Sequence, residues 1–284
     1  MPTNDYILTL SCPDTTGIVH RVTGVLFELG CNIQDAQQFG DSGSGRFFLR
    51  VHFAAPEGVG APALRQRFGE LAPDFAMEWQ IHDASARARL MIMVSRQGHC
   101  LNDLLFRVRS GQLNAEVVAI VSNHTDYATL AASYGVPFHH LPVTPETRRQ
   151  QEEQVLTLVR ELNVDLVVLA RYMQILSADL CNALAGRAIN IHHSFLPSFK
   201  GARPYHQAHE RGVKVIGATA HYVTADLDEG PIIEQGVEPV DHTMTANDLT
   251  EVGSDIESRV LARAVRSHVE HRVMLNGHRT VVFH

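Results

Sequence analysis

The stretch Ala188-Ile189-Asn190-Ile191-His192 holds residue types that can act on a carbonyl group. Apolar β-branched residues alternating with polar ones read as a strand. Side chains two apart on a strand share a face, so Asn190 and His192 project together while Ile189 and Ile191 pack behind. An amide donor beside an imidazole can polarise a carbonyl. The same pattern also fits a strand with one polar face and no catalytic task.

A second candidate is the turn from His221 to Pro231, with Asp226, Asp228 and Glu229 close to two strand ends. Gly230-Pro231 fixes its course. A carboxylate there could favour an imidazolium and move a proton. An acidic turn standing alone is usually just solvated.

These residues need a scaffold. Beyond residue 89, short aliphatic runs at Leu90–Val94, Val117–Val121, Leu166–Leu169 and Ile189–Ile191 alternate with helical stretches near 100–109, 125–134, 145–162 and 177–184. Such alternation implies parallel strands with crossover helices and ligands beyond the carboxyl ends of the strands. Strand-like Ala218–Val223 and Ile232–Val240 then enclose the acidic turn. A helix near 245–271 and a hairpin turning at Asn276-Gly277 end the chain.

The N-terminal part has a different rhythm. A strand near 6–10, a helix near 17–29, strands near 32–40 and 46–54, a helix near 61–72 and a strand near 75–82 give the order β-α-β-β-α-β, the ferredoxin-like split pattern. The expected division is residues 1–83 as one domain, 84–89 as linker and 90–284 as a second domain. The fold class is α/β: a ferredoxin-like α+β domain followed by a Rossmann-like domain.

Composition narrows the function. The chain has 284 residues, 45% of them hydrophobic, enough for a real core, and a net charge of −7. Acidic residues outnumber basic ones in both parts, so no basic stripe offers a nucleic-acid footprint. No apolar run suggests a membrane span and the N-terminus lacks a signal-peptide pattern, so the expected location is the cytoplasm. Cys12, Cys31, Cys100 and Cys181 are too scattered for a zinc ribbon or a disulfide framework. The pairs His139-His140, His192-His193, His206-x-x-His209 and His268-x-x-His271 come without a matching ligand set, so no metal and no cofactor are expected.

Residues 5–82 resemble an ACT domain, through Asp14-Thr15-Thr16-Gly17-Ile18-Val19 and Gly30-Cys31-Asn32-Ile33. The resemblance implies that residues 1–83 are a regulatory domain, with a homo-oligomer and a small amino-acid effector held by Asp14, Thr15, Gly17, Asn32 and Ile33. Asp14 and Thr15 also suit plain helix N-capping, worth about 1 kcal/mol.

Residues 88–284 resemble the formyltransferase family that uses 10-formyltetrahydrofolate, through Asn190-Ile191-His192-His193-Ser194-Phe195-Leu196-Pro197, Asp228-Glu229-Gly230-Pro231 and the spacing from His221. The resemblance implies that residues 90–284 are the catalytic domain and that Asn190, His192 and Asp228 are catalytic. It implies that the main chain of Arg171, Tyr172, Met173, Gln174, Ile175 and Leu176 holds the pterin, although these residues also suit a helix entry. Arg171, Lys200 and Arg203 are candidates for attracting the substrate's glutamate tail, and His221 either orients Asp228 or is a core histidine.

Within the family the chain is most similar to the hydrolytic branch, which gives the formyl group to water and releases formate and tetrahydrofolate. That similarity rests on the ACT-like segment, on Asn190 to Pro197 and on Gly201-Ala202-Arg203-Pro204-Tyr205-His206-Gln207. Glycinamide-ribonucleotide transferases carry a Gly-Ser-Asn phosphate loop where this chain has Gly98-His99-Cys100, which argues against a phosphorylated acceptor. Two alternatives stay open: formyl transfer to an amine acceptor, and an amino-acid-binding regulator on an inactive scaffold.

Overall fold

Alternating apolar residues at the N-terminus build a four-stranded antiparallel sheet. Its elements are β1 (Asn4–Pro13), α1 (Ile18–Glu28), β2 (Asn32–Asp41), β3 (Arg46–Ala55), α2 (Ala61–Leu71), a 3-10 turn (Ala72–Phe75) and β4 (Glu78–Asp83). The strand order is β2-β3-β1-β4. One sheet face, carrying Leu8, Leu10, Leu49, Val51 and Phe53, packs on Ile18, Val22 and Leu26 of α1 and on Leu64, Phe68 and Leu71 of α2. The computed structural model describes residues 4–196 and 204–284.

The following elements are β5 (Ala88–Val94), α3 (His99–Arg109), β6 (Ala115–Ser122), α4 (Ala128–Tyr134), β7 (Phe138–His140), α5 (Arg148–Glu161), β8 (Leu166–Leu169), α6 (Ala178–Ala183), β9 (Ala188–His192), α7 (Pro204–Glu210), β10 (Val215–Tyr222), β11 (Ile232–Pro239) and α8 (Ala246–Val269). The strands form a seven-stranded sheet in the order β11-β10-β9-β8-β5-β6-β7. Pairing is parallel from β9 to β7 and antiparallel at β9-β10 and β10-β11. The chain winds outward from β5 to β7, then returns to β8 on the other side of β5. Such a reversal opens a crevice beyond the carboxyl ends of the central strands. Two elements carry too few periodic residues to be read from sequence: the three-residue β7 and the one-helix excursion α7.

The chain divides into two compact units, one up to Ala86 together with Glu270–Asn276 and Val281–His284, the other Arg87–Val269 with Gly277–Thr280. The terminal strands β12 (Val273–Asn276) and β13 (Arg279–Val282) pair as the expected hairpin. Most of that hairpin belongs with the N-terminal unit, not with the catalytic domain to which residues 90–284 were assigned. Polar contacts explain the attachment. Buried Arg50 on β3 donates to the Glu270 carbonyl at 3.1 Å, the His82 ring stacks on His271 at 3.5 Å, and the Asn276 amide reaches Asp41 at 2.7 Å. No described helix is long and apolar enough to cross a membrane.

Candidate active site

Register brings the polar residues of two strands to one face. In the antiparallel β9-β10 pair, Asn190 stands opposite His221 and His192 opposite Thr219. Thr219 then anchors the segment that follows β9: its hydroxyl donates to the Ser194 carbonyl at 3.0 Å and accepts from the Leu196 N–H at 3.1 Å. Gln235 on β11 closes the arrangement by donating to the same hydroxyl at 3.0 Å. His192 is thus delivered by a strand end fixed on both sides.

The acidic turn comes back over this face. His192 Nδ1 lies 3.2 Å from Asp228 Oδ2. His221 Nε2 lies 3.7 Å from Asp228 Oδ1, ion-pair distance but too long for a full hydrogen bond, and only 3.3 Å from Asn190 Nδ2. Its Nδ1 sits 2.9 Å from the Tyr222 carbonyl, which can only accept. The Nδ1 proton therefore points at that carbonyl, leaving the Nε2 lone pair to accept from the Asn190 amide. His221 is buried and orients Asn190 more directly than it orients Asp228.

Burial alone would push the Asp228 carboxyl up, but the hydrogen bond and charge of His192, 3.2 Å away, lead the effects that outweigh it and hold the group well below the usual carboxylate range. The anion is therefore present at neutral pH. His192 Nε2, on the far side of the ring from Asp228, is buried and has no hydrogen-bond partner among the described residues. Buried polar atoms are nearly always paired, so this nitrogen reads as kept for a ligand.

Asn190, His192, His221 and Asp228 line one cavity of about 260 Å³, together with all of Arg171 to Leu176 and with Val223 to Asp228. Among the described residues, the main-chain N–H groups of Gln174, Ile175 and Leu176 make no hydrogen bond within the protein. Two non-glycine residues on this wall have left-handed backbones, Arg171 at φ 62° and Asp228 at φ 57°. That conformation costs of order 1 kcal/mol at a non-glycine residue and persists only where surroundings enforce it.

At Asp228 the enforcement is visible two residues on. A Cβ on Gly230 would lie 1.7 Å from the Tyr222 carbonyl oxygen and 3.2 Å from His221 Nδ1. Only glycine lets the turn lie this close to β10. Gly230→Ala should push the turn outward and lower kcat/KM by about a hundredfold, the scale of an ångström's misplacement. Steady-state rates beside a thermal melt would check this; an unchanged rate would detach Asp228 from its place.

Arg171 departs from its expected role. It lines the cavity, yet it is 7% exposed, and its guanidinium turns inward to Gln97 Oε1 at 2.8 Å and to Glu257 at 3.4 Å. That charge is neutralised inside the protein and is not on offer to a glutamate tail. Lys200 and Arg203 lie outside the described residues, as does the run from Gly201 to Arg203.

The residues assigned to an effector do not converge within one chain. Gly17 is the N-cap of α1, with no side-chain cap, so neither Asp14 nor Thr15 caps the helix. The Asp14 carboxylate instead sits over Gly40, where a Cβ would approach it to 3.0 Å. Asn32 and Ile33 begin the strand that Gly40 nearly ends, eight residues and so roughly 26 Å away. They line a separate shallow concavity with His20, Thr23 and Phe27.

Comparison with known proteins fits this geometry. The profile described as formyl transferase matches residues 88–265, and the ACT domain profile matches residues 6–67. A formyltetrahydrofolate deformylase from Corynebacterium sp. is 52% identical over 98% of this chain and 97% of its own. The chain belongs to the formyltetrahydrofolate deformylase family. A Bacillus subtilis member is 47% identical over 97% of this chain and 93% of its own. The crystal structure of a Burkholderia mallei deformylase superposes with a TM-score of 0.95 at 54% identity, covering 99% of this chain and all of that one. A glycinamide ribonucleotide transformylase from Symbiobacterium toebii shares only part of it, with a TM-score of 0.66 and 33% identity over 70% of this chain and 95% of its own. The deformylases match both units.

Proposed function

We propose that Asn190, His192 and Asp228 carry out the hydrolysis of 10-formyltetrahydrofolate to formate and tetrahydrofolate, the reaction named by the family, with water as formyl acceptor. The observation carrying this assignment is the buried Nε2 of His192, without a partner among the described residues, beside the Asn190 amide and with Asp228 behind the ring. A formyl amide is a poor electrophile because nitrogen delocalises into its carbonyl. Charge building on the carbonyl oxygen as water attacks must be met by donors already in place. One Asn190 amide hydrogen is held by His221 Nε2, and the other is left for that oxygen. Protonated His192 supplies a second donor from Nε2, with its Nδ1–H directed at the Asp228 carboxylate 3.2 Å away. Asp228 then accepts a proton from water and helps return one to the departing folate nitrogen.

The loop Arg171–Leu176 is proposed as the cradle of the pterin, supported by its free main-chain N–H groups. These pair with the edge of a heteroaromatic ring as a strand edge would. No metal or cofactor enters the proposed reaction, because the imidazole and carboxylate at the cavity are already paired with each other. Purified protein with 10-formyltetrahydrofolate, a chelator and no amine acceptor should release formate continuously. Turnover only on adding glycinamide ribonucleotide would favour transfer over hydrolysis.

The N-terminal unit is proposed to bind a small amino acid. Because Asp14, Thr15 and Gly17 lie at the opposite end of β2 from Asn32 and Ile33, an effector touching both groups must bridge two copies, which supports a homo-oligomer. Repeating the formate assay with added glycine or methionine should shift kcat or KM with at least one of them; two flat titrations would remove the effector. The proposed location is the cytoplasm, where the buried thiols of Cys12, Cys100 and Cys181 stay reduced.

A further inference from the structure

Among the described residues, Glu257 is the most buried charged side chain, at 1% exposure. It sits mid-way along α8 and lines no part of the active-site cavity. Three elements converge on its carboxylate. Oε2 stands 2.8 Å from His99 Nε2 on α3 and 3.4 Å from Arg171 Nε after β8, while Oε1 accepts from the Tyr205 hydroxyl on α7 at 2.7 Å. Space is cleared for this one turn earlier on α8, where a Cβ on Gly253 would lie 2.1 Å from the Tyr205 ring. Burial pushes the Glu257 carboxyl up, but His99, Arg171 and Tyr205 together hold it below its ordinary value, so it remains an anion.

The other end of this arrangement is the loop at the cavity. Arg171 opens that loop in a left-handed conformation, and it is fixed through side chain and main chain alike. Its guanidinium donates to Gln97 Oε1, its carbonyl accepts from the Ser95 N–H at 3.1 Å, and the Met173 N–H donates to the Ser95 hydroxyl at 3.0 Å. A guanidinium kept from water needs a counter-charge, and Glu257 is that charge. Without it the side chain would be drawn toward solvent, and the left-handed turn would lose its charged anchor, keeping only the neutral hydrogen bonds to Ser95 and Gln97.

We infer that Glu257 is a positioning residue for folate binding, acting through Arg171 to hold Arg171–Leu176 with its free main-chain groups toward the cavity. The inference rests on the reading of that loop as the pterin cradle. A metal reading of the same spot is weaker. His99, Cys100 and Glu257 could bring ligand atoms within 4.8 Å of one another. The Arg171 cation already occupies the carboxylate, though, and burial pushes the Cys100 thiol far up, away from the thiolate a metal needs.

The test compares variants of the full chain by steady-state kinetics with 10-formyltetrahydrofolate. Glu257→Gln should raise KM about tenfold while kcat stays within about threefold, because the loop binds the pterin alike in ground and transition states. A purely structural role would lower the active fraction and the melting temperature with KM unchanged, and that result overturns the inference. Should Glu257→Gln fail to fold, Arg171→Gly decides: glycine tolerates the left-handed backbone, so the turn can still form while the side-chain links to Glu257 and Gln97 are lost. KM should still rise, and an unchanged KM would be fatal. Ile175→Trp separates the two readings by placing a bulky ring in the cavity. If it raises KM and Glu257→Gln does not, the positioning role alone fails; if it leaves KM unchanged, the cradle fails too.

Discussion

Asp228→Asn should lower kcat by roughly a hundredfold to ten-thousandfold, the range of a lost proton-transfer group, with KM for 10-formyltetrahydrofolate changed far less. The substitution is close to isosteric, and asparagine tolerates the left-handed backbone at this position, so the turn itself should survive. What disappears is a charge 3.2 Å from His192 Nδ1 and an oxygen able to take a proton. Rates measured on protein with an unchanged circular dichroism spectrum would check this. Near-wild-type turnover would strip Asp228 of its role.

The same variant has a signature in stability. The folded-state carboxyl of Asp228 is held below its ordinary value of 3.8, so its contribution is fully present above that value and is lost as pH falls below it. Asparagine has no such dependence. The gap in melting temperature between the two proteins should therefore narrow from about pH 6 toward about pH 3. A gap constant across that range would mean that Asp228 is not held as an anion by its pairing with His192.

How much of this was legible before the structure depends on how local each signal is. Asn190 and His192 are two residues apart on a strand, and the period of a strand alone puts them on one face. Asp228 lies in a turn between β10 and β11, so its return to that face follows from the pairing of neighbouring strands. The close approach at Gly230 could be suspected from Gly-Pro but not measured. The Glu257 cluster is opaque by contrast: His99, Arg171, Tyr205 and Glu257 come from four separate elements, and each alone looks like an ordinary surface residue. Arg171 read as a free cation for the same reason.

The effector residues were grouped by motif, and motif proximity hides the length of α1, which carries the chain to the other end of the sheet. The terminal hairpin was legible as a hairpin. Its attachment to the N-terminal unit, through Arg50, His82 and Asp41, had no local signal, because those partners lie some 190 to 235 residues earlier in the chain.

Asn190→Ala and His192→Ala should each lower kcat by about a hundredfold to a thousandfold, equivalent to about 2.7–4 kcal/mol for one oxyanion donor. Both groups are assigned to the same oxygen, so the double variant should lose less than the product of the single losses. Full multiplicativity would place them at separate tasks. The geometry of His221 adds a sharper check. With Nδ1 committed to the Tyr222 carbonyl, its Nε2 fixes which way the Asn190 amide points. His221→Ala should therefore slow the wild-type enzyme but have little further effect once Asn190 is alanine. An equal loss in both backgrounds would mean that His221 acts through Asp228 at 3.7 Å instead, and that Asn190 orients itself.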